Sequence, residues 1–287
     1  MANAKAQADD LEYFSPPFPA LEFDRMIDNA RPPVIRSIRD FAEAEIIIPD
    51  GPFKGERWRV DSQPYAGIFF DLVASNNWSR FMCVGPTQSG KSLTAFIIPA
   101  LYFLFELEET VILGQPSLDM AADKWNQDLK PVIERSRFAE YMPTSGAGSR
   151  GGKTMSIQFT NGATLRFMSG AGGDKSRAGF TGRVVMLTEI DGMDESGGSS
   201  READKVRQIE ARSRAYGDQR VTFGECTATV ETGRIWTEYT NGTQTRIFCP
   251  CTECGEFVAP ERDHLVGHQG AENEIDAMEN AGYVYPP

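Results

Sequence analysis

Gly85-Pro86-Thr87-Gln88-Ser89-Gly90-Lys91-Ser92 decides how this chain is read. A glycine, four free positions and then Gly-Lys-Ser is the pattern of a phosphate-binding loop. Its chemistry is made by the backbone. Successive N–H groups turn inward and a helix N-terminus adds positive potential, so phosphate oxygens are held between them. That geometry requires a strand before the loop and a helix after it. Arg80 to Val84 (RFMCV) reads as a short buried strand, and Leu93 to Phe105 as a helix. In this frame residues Gly85 to Ser92 cradle a nucleoside triphosphate such as ATP. Lys91 reaches its outer phosphates and the Ser92 hydroxyl takes a place on Mg²⁺. The competing reading is a chance match in a glycine-rich loop, and the flanking strand and helix count against it.

Working outward, strands and helices alternate. Ser37 to Glu45 reads as a short helix, and Gly51 to Gly67 as a loop entering a helix that runs to about Ser75. Thr110 to Gly114 is a second buried strand. Ser117 to Arg135 is an amphipathic helix with Met120, Trp125, Leu129 and Ile133 near one face. Met155 to Phe159 and Thr164 to Met168 are strands joined by the hairpin signal Asn161-Gly162. Arg183 to Leu187 and Arg220 to Glu225 are further strands, with a charged helix from Ser200 to Arg214 between them. The pattern predicts an α/β fold of the P-loop NTPase (RecA-like) type, with a largely parallel sheet flanked by helices and a small cysteine-containing C-terminal segment. Three regions are expected: 1–50, an arm and short helix; 51–245, the P-loop domain; and 246–287, a cysteine knuckle and acidic tail.

Composition narrows the classes. The 287 residues are 40% hydrophobic, enough for a core, and carry a net charge of −12. That charge argues against nonspecific nucleic-acid or membrane affinity of the whole surface. The polar, acidic N-terminus predicts no signal peptide. The most apolar stretch, Ala95 to Phe105, is too short to span a bilayer and contains Pro99. A soluble intracellular protein is expected.

A P-loop needs an acid on a neighbouring strand to hold its metal, and often a second acid to orient the attacking water. Val184-Val185-Met186-Leu187 runs into Thr188-Glu189-Ile190-Asp191. Threonine stands where the metal-holding Asp is expected. Glu189 then falls in the catalytic-base position, and Asp191, or a water held by Thr188, completes the Mg²⁺ shell. Ordinary solvated acids at a strand end are the bland alternative. Between Arg150 and Arg183 lie six basic residues and one acid. Lys175 and Arg177 in this stretch are candidates to track a DNA backbone or to reach a neighbouring subunit's ATP, against a merely solvated loop. Thr227 and Thr229, after the strand at Arg220 to Glu225, are placed to sense the γ-phosphate; a plain turn is the alternative. Trp58, Gln63 and Tyr65, upstream of the loop, are candidates to stack on and read an adenine, with core packing the alternative for Trp58.

Five cysteines form no even disulfide set, and three crowd into Cys249-Pro250-Cys251-Thr252-Glu253-Cys254. With His264 and His268, Cys251 and Cys254 offer two thiolates and two imidazoles for Zn²⁺. The nine residues between Cys254 and His264 are fewer than the usual finger spacing.

Taken in order, these motifs resemble the large terminase subunit of tailed phages, of the lambda type, from about Gly55 onward. GERWRVDSQPYAGIFFDLV is similar to the segment preceding that family's phosphate loop, VVMLTEIDGMD to its acidic strand end, and ECTAT to its coupling motif. Cys-Thr-Glu-Cys-Gly resembles its cysteine knuckle, and Arg212 falls where the family carries a catalytic arginine. The resemblance implies an ATP-driven motor that moves double-stranded DNA into a procapsid. It implies a portal protein and a small terminase subunit as partners, a ring of like subunits, and work in the host cytoplasm while docked on the portal. Thr188 and the absence of a proline in ECTAT depart from the pattern. No carboxylate cluster for a nuclease is present, so the ATPase portion alone is expected. Two other readings remain open. One is a helicase-like translocase of superfamily 2, on TEID and TAT; the other is a weakly catalytic nucleotide-binding assembly protein, on Thr188.

Overall fold

The five-residue run Arg80–Val84 (β1) is a strand, and it lies at one edge of a six-stranded sheet. The computed structural model describes residues 24–27, 34–146, 155–170, 179–195, 204–259 and 261–284. The other sheet members are β2 (Val111–Gln115), β3 (Ser156–Gln158), β4 (Thr164–Ser169), β5 (Val184–Thr188) and β6 (Val221–Cys226). Their order is β1-β6-β5-β2-β4-β3. All neighbouring pairs are parallel except β3 with β4. That pair is the expected hairpin, and Gly162 supplies its turn at φ 92°. The expected α/β fold with a largely parallel sheet is therefore the observed one.

Parallel strands must be covered on both faces, and the side chains sort accordingly. Val111, Leu113, Val184, Met186 and Phe223 belong to one apolar layer, whereas Ile112, Val185, Leu187 and Cys226 belong to the other. The first layer is completed by α1 (Ile38–Glu45), α2 (Pro64–Ala74) and the helix leaving the phosphate loop. The second is completed by α7 (Lys205–Glu210) and α8 (Arg234–Asn241), through Val206, Ile209 and Ile235.

Local sequence explains the helix ends. Ser37 Oγ accepts the Asp40 N–H (3.1 Å) and Ser117 Oγ the Met120 N–H (3.3 Å), each satisfying a first-turn donor. Two long helices each contain a π segment followed by a proline. Leu93–Ile97 leads into α3 (Ile98–Phe105) with Pro99 near its start. Between α4 (Leu118–Asp123) and α5 (Lys130–Glu134), Lys124–Leu129 is π-helical and Pro131 follows. Proline has no N–H and its ring crowds the carbonyl four residues back, so a wider turn before it absorbs the misfit. Trp125, Leu129 and Ile133 are buried as the periodicity predicts, but Met120 is 37% exposed and lies off that face. The charged helix expected to Arg214 ends earlier: α7 stops at Glu210 and gives way to a 3₁₀ stretch, Ala211–Gln219.

After α6 (Ile190–Glu195) and α8, the chain forms two small antiparallel ladders. One pairs β7 (Cys249–Pro250) with β8 (Phe257–Val258). The other pairs β9 (Leu265–Val266) with β10 (Gly282–Tyr283), with α9 (Glu274–Asn280) between them in sequence. By contacts the chain divides into Met1–Arg36 and Ser37–Pro287, and in the first of these residues 24–27 form a helical turn. No helix among the described residues is long and apolar enough to cross a membrane.

Candidate nucleotide site at the strand ends

The loop Gly85 to Ser92 joins β1 to the helix packed on the first apolar layer. In an open α/β sheet this end of the strands is where ligands sit. Gly90 has φ 77°, a backbone region that favours glycine, and a Cβ there would collide with the Gln63 amide. Gln63 is fixed in turn, because Thr94 Oγ1 donates to its Oε1 at 2.9 Å. Tyr65 donates its hydroxyl to the Ser89 carbonyl at 2.8 Å. Burial is the leading influence on the Tyr65 phenol and raises its pKa. Gln63 and Tyr65 thus brace the loop. Trp58 does not join them: it is buried, 2% exposed, with its ring 5.5 Å from that of Phe70. The expected adenine platform at Trp58 is a core residue instead, because the bridge between Ile47 and Arg57 turns it into the first apolar layer.

Lys91 is only 8% exposed. Its Nζ donates to Thr227 Oγ1 at 2.9 Å and to the Pro86 carbonyl at 3.3 Å. Both partners are neutral, so a buried cation faces the loop with its charge unpaired by any carboxylate among the described residues. A polyanion is what such a site lacks. Thr227 therefore touches the phosphate loop, whereas Thr229 is exposed.

The acidic strand end is arranged differently from its sequence reading. Thr188 is fully buried and donates its hydroxyl to Glu225 Oε1 at 2.5 Å. Ser92 donates to Glu225 Oε2 at 3.2 Å. Glu225, also fully buried, lies beside Thr188 in the β5–β6 register. Sequence reasoning gave it no role; the signal was an acid near the C-terminal end of a buried strand. Burial pushes the nearby Cys83 thiol up to about 11, with the Glu225 charge adding to the rise and Lys91 opposing it.

Glu189 follows β5 with φ 50°, a left-handed conformation uncommon for a residue other than glycine. Cys226 Sγ approaches its Oε2 at 3.6 Å, and burial raises that thiol to about 11. Asp191 serves another element. Its Oδ1 accepts the Ile235 N–H at 2.7 Å, in the first turn of α8, and Gly233 packs so closely that a Cβ would lie 2.5 Å from Oδ2. Through Oδ1 it caps α8 on the second layer, while Oδ2 is buried with no hydrogen-bond partner among the described residues.

The remaining candidates are dispersed. The Arg212 carbonyl accepts the Gly182 N–H at 3.2 Å, which places it at the start of β5, the end opposite Thr188. At about 3.3 Å per residue, β5 puts roughly 13 Å between those ends. The Arg212 Nε is buried without a hydrogen-bond partner among the described residues. The structure thus does not bring Arg212 to the phosphate loop. Lys175 and Arg177 lie outside the described residues. Two of their basic companions are used internally: Arg183 pairs with Glu109 at 2.7 Å, and Arg166 lies over the Phe180 ring. A cavity of about 640 Å³ is lined by Trp78, Glu109, Arg183 and Arg220. It too lies at the strand starts, away from the loop.

Cys251 and Cys254 share a tight turn, in which the Gly255 N–H donates to the Cys251 carbonyl at 2.9 Å. The Cys254 N–H lowers the Cys251 thiol pKa, and the Glu253 N–H adds to this. His264 belongs to the other ladder, where its carbonyl accepts the Val284 N–H. Among the described residues no group of three or more His, Cys, Asp or Glu gathers as a metal site. The expected Zn²⁺ set of Cys251, Cys254, His264 and His268 is therefore not assembled: the two cysteines lie in the turn between β7 and β8, and the histidines flank β9.

The family model described as "Phage terminase large subunit gpA, ATPase domain" matches residues 53–286. Among solved structures, the HK97 bacteriophage large terminase superposes with a TM-score of 0.54 at 17% identity, over 71% of this chain and 40% of that one. The Thermus phage P74-26 large terminase ATPase domain gives 0.43 at 15% identity, over 63% and 71%. This chain therefore spans 40% of the HK97 protein's length. No curated protein matches it. A P-loop closed by Lys91 and Ser92, an acidic strand end two strands away and a match over most of the length agree: the chain belongs to the phage terminase large subunit family, in its ATPase domain.

Proposed function

We propose that this chain hydrolyses ATP and couples the hydrolysis to movement of double-stranded DNA into a procapsid. The observation that carries the reading is the 2.9 Å contact between Lys91 Nζ and Thr227 Oγ1. It ties the phosphate loop to the segment after β6, so an event at the outer phosphates is felt outside the loop. The loop N–H groups and Lys91 would hold the phosphates, with Lys91 exchanging two neutral partners for phosphate oxygens. Ser92 would hold Mg²⁺, which would supply neutralising charge to the phosphates. Glu189 would orient the attacking water and accept its proton. Thr227, losing or keeping its Lys91 contact, would report the γ-phosphate. Lys175 and Arg177 are proposed as contacts to the DNA backbone or to a neighbouring subunit's ATP. A ring of subunits on a portal, with a small terminase subunit delivering DNA in the host cytoplasm, completes the proposal.

The test is ATP turnover with and without double-stranded DNA. The wild-type chain is expected to be stimulated by DNA. Lys91→Ala should abolish turnover, and Glu189→Gln should lower it about 10²–10⁴-fold, as loss of a general base does. Wild-type turnover in Glu189→Gln would remove the base assignment. ATP binding without turnover in the wild-type chain would favour the nucleotide-binding assembly protein suggested by Thr188.

A further inference from the structure

We infer that Glu225 is the metal-facing acid of this ATPase, carried on β6 in place of the aspartate that Thr188 displaces from β5. The inference rests on the ATP reading above. Side chains alternate across a strand, so residues in register on parallel neighbours share a face. Thr188 and Glu225 are such a pair. Their face is the one on which Met186 and Phe223 pack, and on which the helix begun at Ser92 is seated through Phe96 and Ile97. Adjacent strands lie about 4.8 Å apart. An acid moved from β5 to β6 must regain that displacement to act at the same point. Glutamate adds a methylene, and the Thr188 hydroxyl draws Oε1 back toward β5 at 2.5 Å. The other oxygen, Oε2, then meets Ser92 Oγ at 3.2 Å. The hydroxyl that holds Mg²⁺ in a phosphate loop thus has a carboxylate beside it after all.

Burial supports the assignment. Glu225 is fully buried, its hydrogen-bond partners are two hydroxyls, and no salt bridge to it forms among the described residues. A buried carboxylate without a cation is costly, and hydroxyls offset only part of that cost. A divalent cation at Ser92 would supply the missing charge, and Thr188 would act as a positioning residue that aims the carboxylate. Asp191 is committed to the other layer, where its Oδ1 caps α8.

The experiment measures binding of a fluorescent ADP analogue to the full chain, with Mg²⁺ and with EDTA. The readout is the ratio of the two affinities, which needs no turnover. Losing a metal-site carboxylate should lower that ratio about 10–100-fold in Glu225→Gln. Thr188→Asp combined with Glu225→Gln should recover most of it by returning the acid to β5. A Glu225→Gln ratio equal to that of the wild type would overturn the inference and make Glu225 a structural residue. Should Glu225→Gln fail to fold, the wild-type chain still decides. Fe²⁺ substituted for Mg²⁺, with ascorbate and peroxide, cleaves backbone near the metal. Cuts are expected near Ser92 and Glu225; cuts near Asp191 with none near Glu225 would overturn the inference. A wild-type chain that binds no nucleotide would defeat the ATP reading itself, a result distinct from either of these.

Discussion

Glu189 combines the chemistry proposed for it with a backbone its residue type resists. At φ 50° its Cβ crowds its own carbonyl, a conformation that costs about 1–2 kcal/mol. Glycine adopts it freely but loses more chain entropy on folding, about 0.5–1 kcal/mol. The strain exceeds that loss, so Glu189→Gly should stabilise the fold by up to about 1 kcal/mol and raise the melting temperature by up to about 4 °C. The same variant removes the proposed base and should lack ATP turnover. A thermal melt run beside an ATPase assay reads both. A lower melting temperature would show that the conformation carries no strain. The tight turn out of β5 is what aims the carboxylate past the strand end, so stability and activity should move in opposite directions here.

At the level of elements, alternation along β5 and β6 decides which acids meet. Thr188 and Glu225 fall on the layer of the phosphate-loop helix, whereas Asp191, in the first turn of α6, reaches the layer holding Ile235. Gly233 at the start of α8 has no side chain to cap its own helix, and Asp191 does so from a distance. Asp191→Ala should therefore cost about 1 kcal/mol, the usual loss for a removed cap. It should leave the Mg²⁺ concentration for half-maximal turnover unchanged, and a large rise in that concentration would return Asp191 to the metal. This contrast also explains what could be read from sequence. The phosphate loop was legible because its information is local: eight consecutive residues between a strand and a helix. Glu225 was not, because its meaning depends on β6 lying between β1 and β5, an order that no local pattern encodes. The contact of Asp191 with α8 was hidden for the same reason, since Asp191 is near Glu189 in sequence but its Oδ1 turns to the other layer. Trp58 misled because an aromatic ring near a nucleotide loop and one in a core have the same local sequence.

In the molecule as a whole, the site is the exposed end of a core. Phe223 lies in β6 two residues before Glu225, and its ring is 5.2 Å from that of Phe81, stacked, with Phe103 at 5.8 Å and Phe69 at 6.4 Å. These rings come from β1, β6, α2 and α3, so one side chain joins the phosphate-loop strand, its helix and the strand carrying Glu225. Aromatic pairs add about 0.5–1.5 kcal/mol beyond their buried area, and deleting a buried Phe costs about 3–5 kcal/mol. For a domain whose total stability is about 5–15 kcal/mol, Phe223→Ala removes a large share. Its urea midpoint should fall accordingly, with an unchanged slope if unfolding stays two-state. The effect should also reach the site, since relaxation of β6 around the cavity shifts Glu225 relative to Ser92. Phe223→Leu, which leaves a smaller void, should lose less stability and retain more of the Mg²⁺-dependent gain in nucleotide affinity. If Phe223→Ala lowered the midpoint while that gain stayed at its wild-type value, the core and the site would be mechanically independent, and the aromatic cluster would serve stability alone.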